Sequence, residues 1–211
     1  MAESLDELRG RIDALDQQLL ALIKARRQLA RTIGTLKSGA IFAPEREYQL
    51  VEARIDEEPE LPADFVRRLC RDLISLCRGS QGRFQVAIQA GQEGLLHALL
   101  GQATGAHCCA DPLEALAAGQ AQAALLAGNL PEELQGMQPV ALARQGDDYL
   151  YLLTPQGARA GSHIIGRGPK PAEAENLGNG YWLEAAGHGK DEGSRPDGHP
   201  YWPLSLWPLS L

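Results

Sequence analysis

The sequence contains no run approaching the ~18 consecutive apolar residues that a membrane span requires, which excludes a helical membrane anchor within it. Its opening, Met1 to Asp6, has neither a basic stretch nor an apolar stretch, so no secretory signal is expected. Only 4 of 211 residues are cysteine, too few for a disulfide framework. A cytoplasmic protein with reduced thiols is the expectation. The 5 histidines are scattered without metal-ligand spacing, so no metal is expected. A net charge of -7 gives no support for a nucleic-acid or anionic-membrane partner.

What is present is a globular composition, 44% apolar and 22% charged. The charge is unevenly spread. Residues 1–83 hold 14 Lys/Arg and 14 Asp/Glu, whereas residues 84–211 hold 6 and 13. Of the 23 glycines, 18 follow residue 83, as do 10 of the 13 prolines and every histidine. Two domains of different construction are expected to meet near Gly79 to Arg83, giving spans of 1–82 and 83–211.

The first span is helical by period. Leu5, Leu8, Ile12, Leu15, Leu19 and Leu22 step by three and four residues, and the rhythm continues through position 26 to Leu29, Ile33 and Leu36. Ser4 with Glu7 makes a capping box, and Gly39 is the expected stop. The spacing predicts a helix about 50 Å long. Pro44 opens a second helix to about Glu57, and Pro62 a third to about Gln81. Two short helices cannot cover the seam of one this long, so a partner chain is implied.

Position 26 should be leucine by that rhythm, yet it is Arg26. A guanidinium on a packed helix face needs a carboxylate or a bound anion. Lys37 lies three turns further along nearly the same face, about 16 Å away, and Arg9 lies about 42 Å from Lys37. Arg9 can therefore reach such a site only in an antiparallel partner. An arginine and lysine constellation with no nearby base suggests carboxylate binding and electrostatic catalysis rather than proton transfer.

Residues 5–81 resemble the all-α chorismate mutase family, a three-helix chain that forms an intertwined dimer. The resemblance rests on Leu8-Arg9, Ile12-Asp13 and Leu15-Asp16, then on Leu19 to Leu22 running into Arg26-Arg27. It continues through Gly34 and Lys37, Pro44-Glu45-Arg46-Glu47, and Leu73-Ile74-Ser75 leading to Gln81. It implies that Arg26 and Arg46 bind substrate carboxylate and nearby oxygens within one chain, while Arg9 is donated across the interface of a homodimer. It implies that Lys37 and Gln81 hydrogen-bond the ether oxygen of chorismate, that Glu47 accepts the substrate hydroxyl, and that Cys77 occupies a substrate-binding position where a small hydroxyl residue is common. The rearrangement of chorismate to prephenate needs no proton transfer, nucleophile, metal or cofactor. The chain departs from the family at Ala43, where an aspartate is usual, and in a shorter connection from Lys37 to Arg46.

The second span reads as α/β. Strands are expected at Arg83–Gln89, 105–110, Ala123–Ala127, Val140–Arg144, Tyr149–Leu153, His163–Gly166 and Tyr181–Ala185, with helices at 92–102 and from Pro112 to about Ala118. Cys108-Cys109 reads as core of a strand. Gly187 to Pro200 reads as a flexible polar linker, and the repeated Trp-Pro-Leu-Ser-Leu at 202–206 and 207–211 as an apolar tail that docks on the body or on a partner. The span resembles a shortened prephenate dehydratase domain, through Gly91-Gln92-Glu93-Gly94, Leu113 to Gly119 and Ala123 to Leu126. No Thr-Arg-Phe occurs, and the run after Ala127 is Gly128-Asn129 rather than Glu-Asn-Ser, so dehydratase activity is not expected. Two other readings stand beside the mutase: a non-catalytic protein that senses chorismate or an aromatic end product, and a lyase acting on isochorismate. The mutase pattern is complete by Gln81, which predicts that residues 1–82 fold without the rest.

Overall fold

The computed structural model describes residues 3–36, 41–145, 148–155, 163–167, 170–185 and 201–207. Three helices come first: α1 (Leu5–Leu36), α2 (Pro44–Glu57) and α3 (Ala63–Gln81). The capping box forms as the sequence predicts. Ser4 Oγ accepts from the Glu7 amide at 3.3 Å, and Glu7 Oε2 accepts from the Ser4 amide at 2.7 Å.

Helix α1 touches its own chain over its second half alone. Every residue from Glu3 to Leu22 is exposed, and the stripe the spacing marks as a seam lies open, from Leu8 at 41% to Leu36 at 80%. The line that does pack is Ile23, Arg26, Ala30 and Gly34, which lies against α3. The predicted seam is therefore real as a stripe but has no cover among the described residues of one chain. An apolar stripe of this length marks an interaction surface.

The α/β region follows as β1 (Gln85–Ile88), α4 (Glu93–Leu100), β2 (Gly105–Cys108), α5 (Pro112–Ala117), β3 (Ala123–Ala127), β4 (Gln138–Gln145), β5 (Asp148–Thr154), β6 (His163–Arg167), β7 (Glu175–Gly178), β8 (Tyr181–Ala185) and β9 (Tyr201–Leu206). They build one nine-stranded mixed sheet in the order β2-β1-β3-β5-β4-β9-β6-β8-β7. Strands β1, β2 and β3 are parallel, and β4 with β5 is the hairpin that the sequence predicts. Alternate residues feed opposite faces, as strand geometry requires. Val86, Ile88, Leu125, Leu150 and Leu152 pack with α4 residues Leu96, Leu99 and Leu100. Ala87, Ala124, Tyr151 and Leu153 pack with α5 residues Leu113 and Leu116 on the other face.

Two readings of the sequence change here and one is made specific. Glu175–Gly178 forms β7, although its residues carry no alternating apolar pattern. The first copy of the repeated tail docks on the body as a strand: it forms β9, inserted parallel to β4 and antiparallel to β6, so that it joins the two halves of the sheet. Cys108 is exposed and Cys109 half-buried, because β2 is an edge strand rather than a core one. Gly39, the linker at 187–200 and the second copy of the repeat beyond Trp207 lie outside the described residues.

Helix α3 is shared between the helices and the sheet region. Its buried polar residues Arg71, Ser75 and Arg78 face the α4–β2 connection. Arg71 Nη1 donates to the Ala98 carbonyl at 2.9 Å, Ser75 Oγ accepts from the Ala103 amide at 3.2 Å, and Asp72 Oδ1 accepts from the Gln102 amide at 2.8 Å. Gly101 makes this approach possible. Its φ is +91°, and a Cβ there would stand 2.5 Å from the Arg71 carbonyl oxygen.

Candidate functional site

Helices α1 and α3 lie side by side in the same direction, with Arg26 level with Leu73 and Cys77, Arg27 with Ser80, and Gly34 with Gln81. Arg26 Nη1 donates to the Leu73 carbonyl at 2.8 Å and to Cys77 Sγ at 2.7 Å. The guanidinium that interrupts the leucine rhythm is thus held on the packed side of α1, half-buried, by groups from α3. Cys77 is 6% exposed. Two helical turns before Cys77, burial pushes the Cys70 thiol up, with the Arg26 charge pulling the other way. A raised thiol is a poor nucleophile.

Gln81 is seated by Gly34. A Cβ at Gly34 would stand 2.8 Å from both the Cα and the carbonyl oxygen of Gln81. The side-chain oxygen of Gln81 is buried and has no hydrogen-bond partner. A half turn of the carboxamide exchanges its oxygen and nitrogen, so the buried end can present either an acceptor or a donor.

The second helix splits the remaining assignments. Arg46 is exposed. Glu47, its neighbour, is engaged by Arg78: Nε donates to Oε1 at 3.0 Å and Nη2 donates to Oε2. Arg9 is exposed on the first half of α1, about 25 Å from Arg26 by the helical rise, and faces Asp6 at 3.4 Å. Lys37 lies outside the described residues. Arg26, Cys77 and Gln81 therefore gather at the α1–α3 contact, Glu47 sits at the α2–α3 contact, and Arg9 stands apart.

Sequence reasoning missed Arg78 and Arg71. Arg71, Ser75 and Arg78 step by four and three residues and so share one face of α3, but a polar face at helical spacing reads as solvated surface. Burial pulls the Arg71 guanidinium down to about 10, which leaves it cationic at neutral pH.

A concavity of about 290 Å³ lies at the carboxyl ends of β1 and β3. Its polar lining is Gln89, Gln92, Asp111 and Asn129. The sheet order changes direction about β1, and such switch points are where ligands enter α/β sheets. The Asp111 carboxylate is partly spent on the α5 amides of Leu113 and Glu114. Among the described residues, no cluster of three His, Cys, Asp or Glu is arranged to hold a metal, and no helix is long and apolar enough to cross a membrane.

Comparison with known proteins places the helices. A bifunctional chorismate mutase/prephenate dehydratase of Aquifex aeolicus is 34% identical over 93 residues, covering 40% of this chain and 26% of that protein. One of Neisseria gonorrhoeae is 39% identical over 83 residues, covering 36% and 23%. The T-protein of Haemophilus influenzae is 35% identical over 79 residues, covering 33% and 21%. The matched segment spans about a quarter of the length of these relatives. No solved structure gives a significant match. The family model described as chorismate mutase type II matches residues 8–82, so this chain carries a chorismate mutase type II domain, followed by an α/β region.

Proposed function

We propose that the chain is a homodimeric chorismate mutase, converting chorismate to prephenate at a site built from two protomers. The observation that carries this reading is the Arg26 guanidinium held on α3 beside Cys77, with Gln81 seated one turn further on by Gly34. The resemblance assigns these residues to substrate positions, and they converge at one helix contact. The reaction is a pericyclic rearrangement of a dianion, so the protein has two tasks. It must hold the substrate in its compact conformation and stabilise negative charge on the breaking ether oxygen. Arg26 and Arg46 serve the first task by pairing with carboxylate and nearby oxygens, and Glu47 by accepting the ring hydroxyl. Lys37 and Gln81 serve the second, one with a charge and the other with a neutral donor. The open stripe on α1 supports a second copy as the cover, and the exposed Arg9 on that arm is available to the partner's site.

The α/β region is read as dehydratase-like without dehydration activity. The cleft at the ends of β1 and β3 supports this, because its lining carries Asp111 and neutral amides and neither lysine nor arginine. Such a lining does not suit the dianion prephenate. A sensing protein is the second reading, favoured by Ala43, which offers a substrate hydroxyl no side-chain partner at the start of α2. Incubation of the purified chain with chorismate and, separately, isochorismate tests all of these. Prephenate from chorismate is the expected result. Turnover of isochorismate alone identifies a lyase, and binding without turnover a sensor. Phenylpyruvate from prephenate would overturn the reading of the second region.

A further inference from the structure

Arg78 is the least exposed charged residue among those described, at 3%. Its guanidinium lies against a pair of packed aromatic rings, 5.1 Å from the centroid of Phe42 and 4.9 Å from that of Phe84. Two nitrogens engage Glu47, and Nη1 donates to Thr104 Oγ1 at 3.3 Å. These partners come from four places: the segment before α2, α2 itself, the segment before β1 and the turn before β2. Arg78 is therefore the point at which the second helix is tied to the α/β region.

A buried ion pair is weak grounds for stability, since well-packed apolar residues of similar volume often do as well or better. What a two-toothed guanidinium–carboxylate contact supplies is direction. It fixes both oxygens of Glu47 and uses two of their four acceptor sites, leaving two for another donor. We propose that Arg78 is a positioning residue for the mutase reaction: it holds the Glu47 carboxylate for the substrate hydroxyl, and it is itself held by Thr104, so that the α/β region sets the geometry of the mutase site. This rests on the mutase reading of the preceding subsection. Thr104 Oγ1 also donates to the Leu100 carbonyl at 3.0 Å, which turns its lone pairs toward Arg78.

The test is steady-state consumption of chorismate by the full chain, with thermal midpoints taken on every variant. Arg78→Lys keeps the charge and loses the fork, and Glu47→Gln keeps the shape and loses the charge. Each should lower kcat/KM by about 10- to 100-fold, mainly through KM, because a hydroxyl contact is made in ground and transition states alike. The double variant should be no worse than the poorer single one, since Arg78 acts through Glu47. Thr104→Val should lower kcat/KM by about 3- to 10-fold and Thr104→Ser should restore it. Should Glu47→Gln fail to fold, the Thr104 pair decides, as it leaves Glu47 and Arg78 in place. Losses that multiply in the double variant, or wild-type kcat/KM in Arg78→Lys or in Thr104→Val, overturn the proposal while the mutase reading stands. A wild-type chain that leaves chorismate untouched overturns both.

Discussion

Gly34 and Gln81 touch backbone to backbone: the position a β-carbon would take on Gly34 is 2.8 Å from the Gln81 Cα and 3.0 Å from its Cβ. Glycine inside a helix ordinarily costs about 1 kcal/mol against alanine. Here the closeness of α1 and α3 requires it. Gly34→Ala should therefore lose the helix gain to overpacking of about 1–3 kcal/mol. The displaced Gln81 amide should lower kcat by about tenfold or more, since positioning errors near 1 Å are costly. Calorimetry with chorismate kinetics on the variant checks both, and a more stable, fully active variant would show that the two helices are not coupled at this point.

Gln81 also sets a pH prediction. A carboxamide donates whatever the pH, but in Gln81→Glu only the protonated acid can donate to the ether oxygen. The variant should be most active at low pH. Its rate should fall by about tenfold per unit as pH rises above the carboxyl's own pKa, ordinarily near 4.3. The wild-type profile should be flat across that range. A variant with a flat profile would show that Gln81 does not serve as a donor in the reaction.

The helices were legible in the sequence because a period of 3.6 is written in the leucines, and Pro44 and Pro62 mark two of the starts. The fate of the leucine stripe was not. Periodicity reports that Leu8 and Leu15 share a face, not what covers it, and among the described residues of one chain both stay exposed. The site was legible where a residue broke the pattern: Arg26 stood out among leucines and lies on the packed side of α1. Arg78 was illegible for the opposite reason. Positively charged residues on α3 look like ordinary surface until the α4–β2 connection is folded against them. The hairpin β4–β5 was written locally, whereas β9 takes its place through pairing with strands far away in the chain, which no local pattern encodes.

The shared face of α3 changes the expectation that residues 1–82 suffice. Phe42 packs on Phe84 with ring centroids 5.2 Å apart, and Arg71, Ser75 and Arg78 find partners at 98, 103 and 104. Removing residues 84–211 exposes an aromatic side chain whose burial is worth about 1.5–3 kcal/mol and returns the Arg71, Ser75 and Arg78 groups from protein partners to water. The truncated chain should unfold at a lower temperature than the full chain and should lose kcat/KM. Replacing Phe42 by Ser in the fragment should improve its solubility without restoring that rate. A truncated chain equal to the full one in midpoint and rate would show that α3 needs no cover.

The arrangement of the dimer is tested by separating its two contributions. Arg9 lies on the exposed half of α1, about 25 Å from Arg26 along the same helix, and its ion pair among the described residues is a solvent-exposed one with Asp6. Such a pair costs little to release. If one site draws Arg26 from its own chain and Arg9 from the partner, then Arg9→Ala and Arg26→Ala homodimers should each be nearly inactive. Each homodimer repeats its lesion in both sites. A heterodimer of the two variants gathers both lesions into one site and leaves the other intact. Mixing the variants under conditions that allow subunit exchange should therefore return activity toward half of the wild-type value per heterodimer. Exchange is followed independently by native mass spectrometry of chains with different tags. Demonstrated exchange without recovered activity would show that each site takes both arginines from the same chain or does not use Arg9, and the open arm of α1 would then need another explanation.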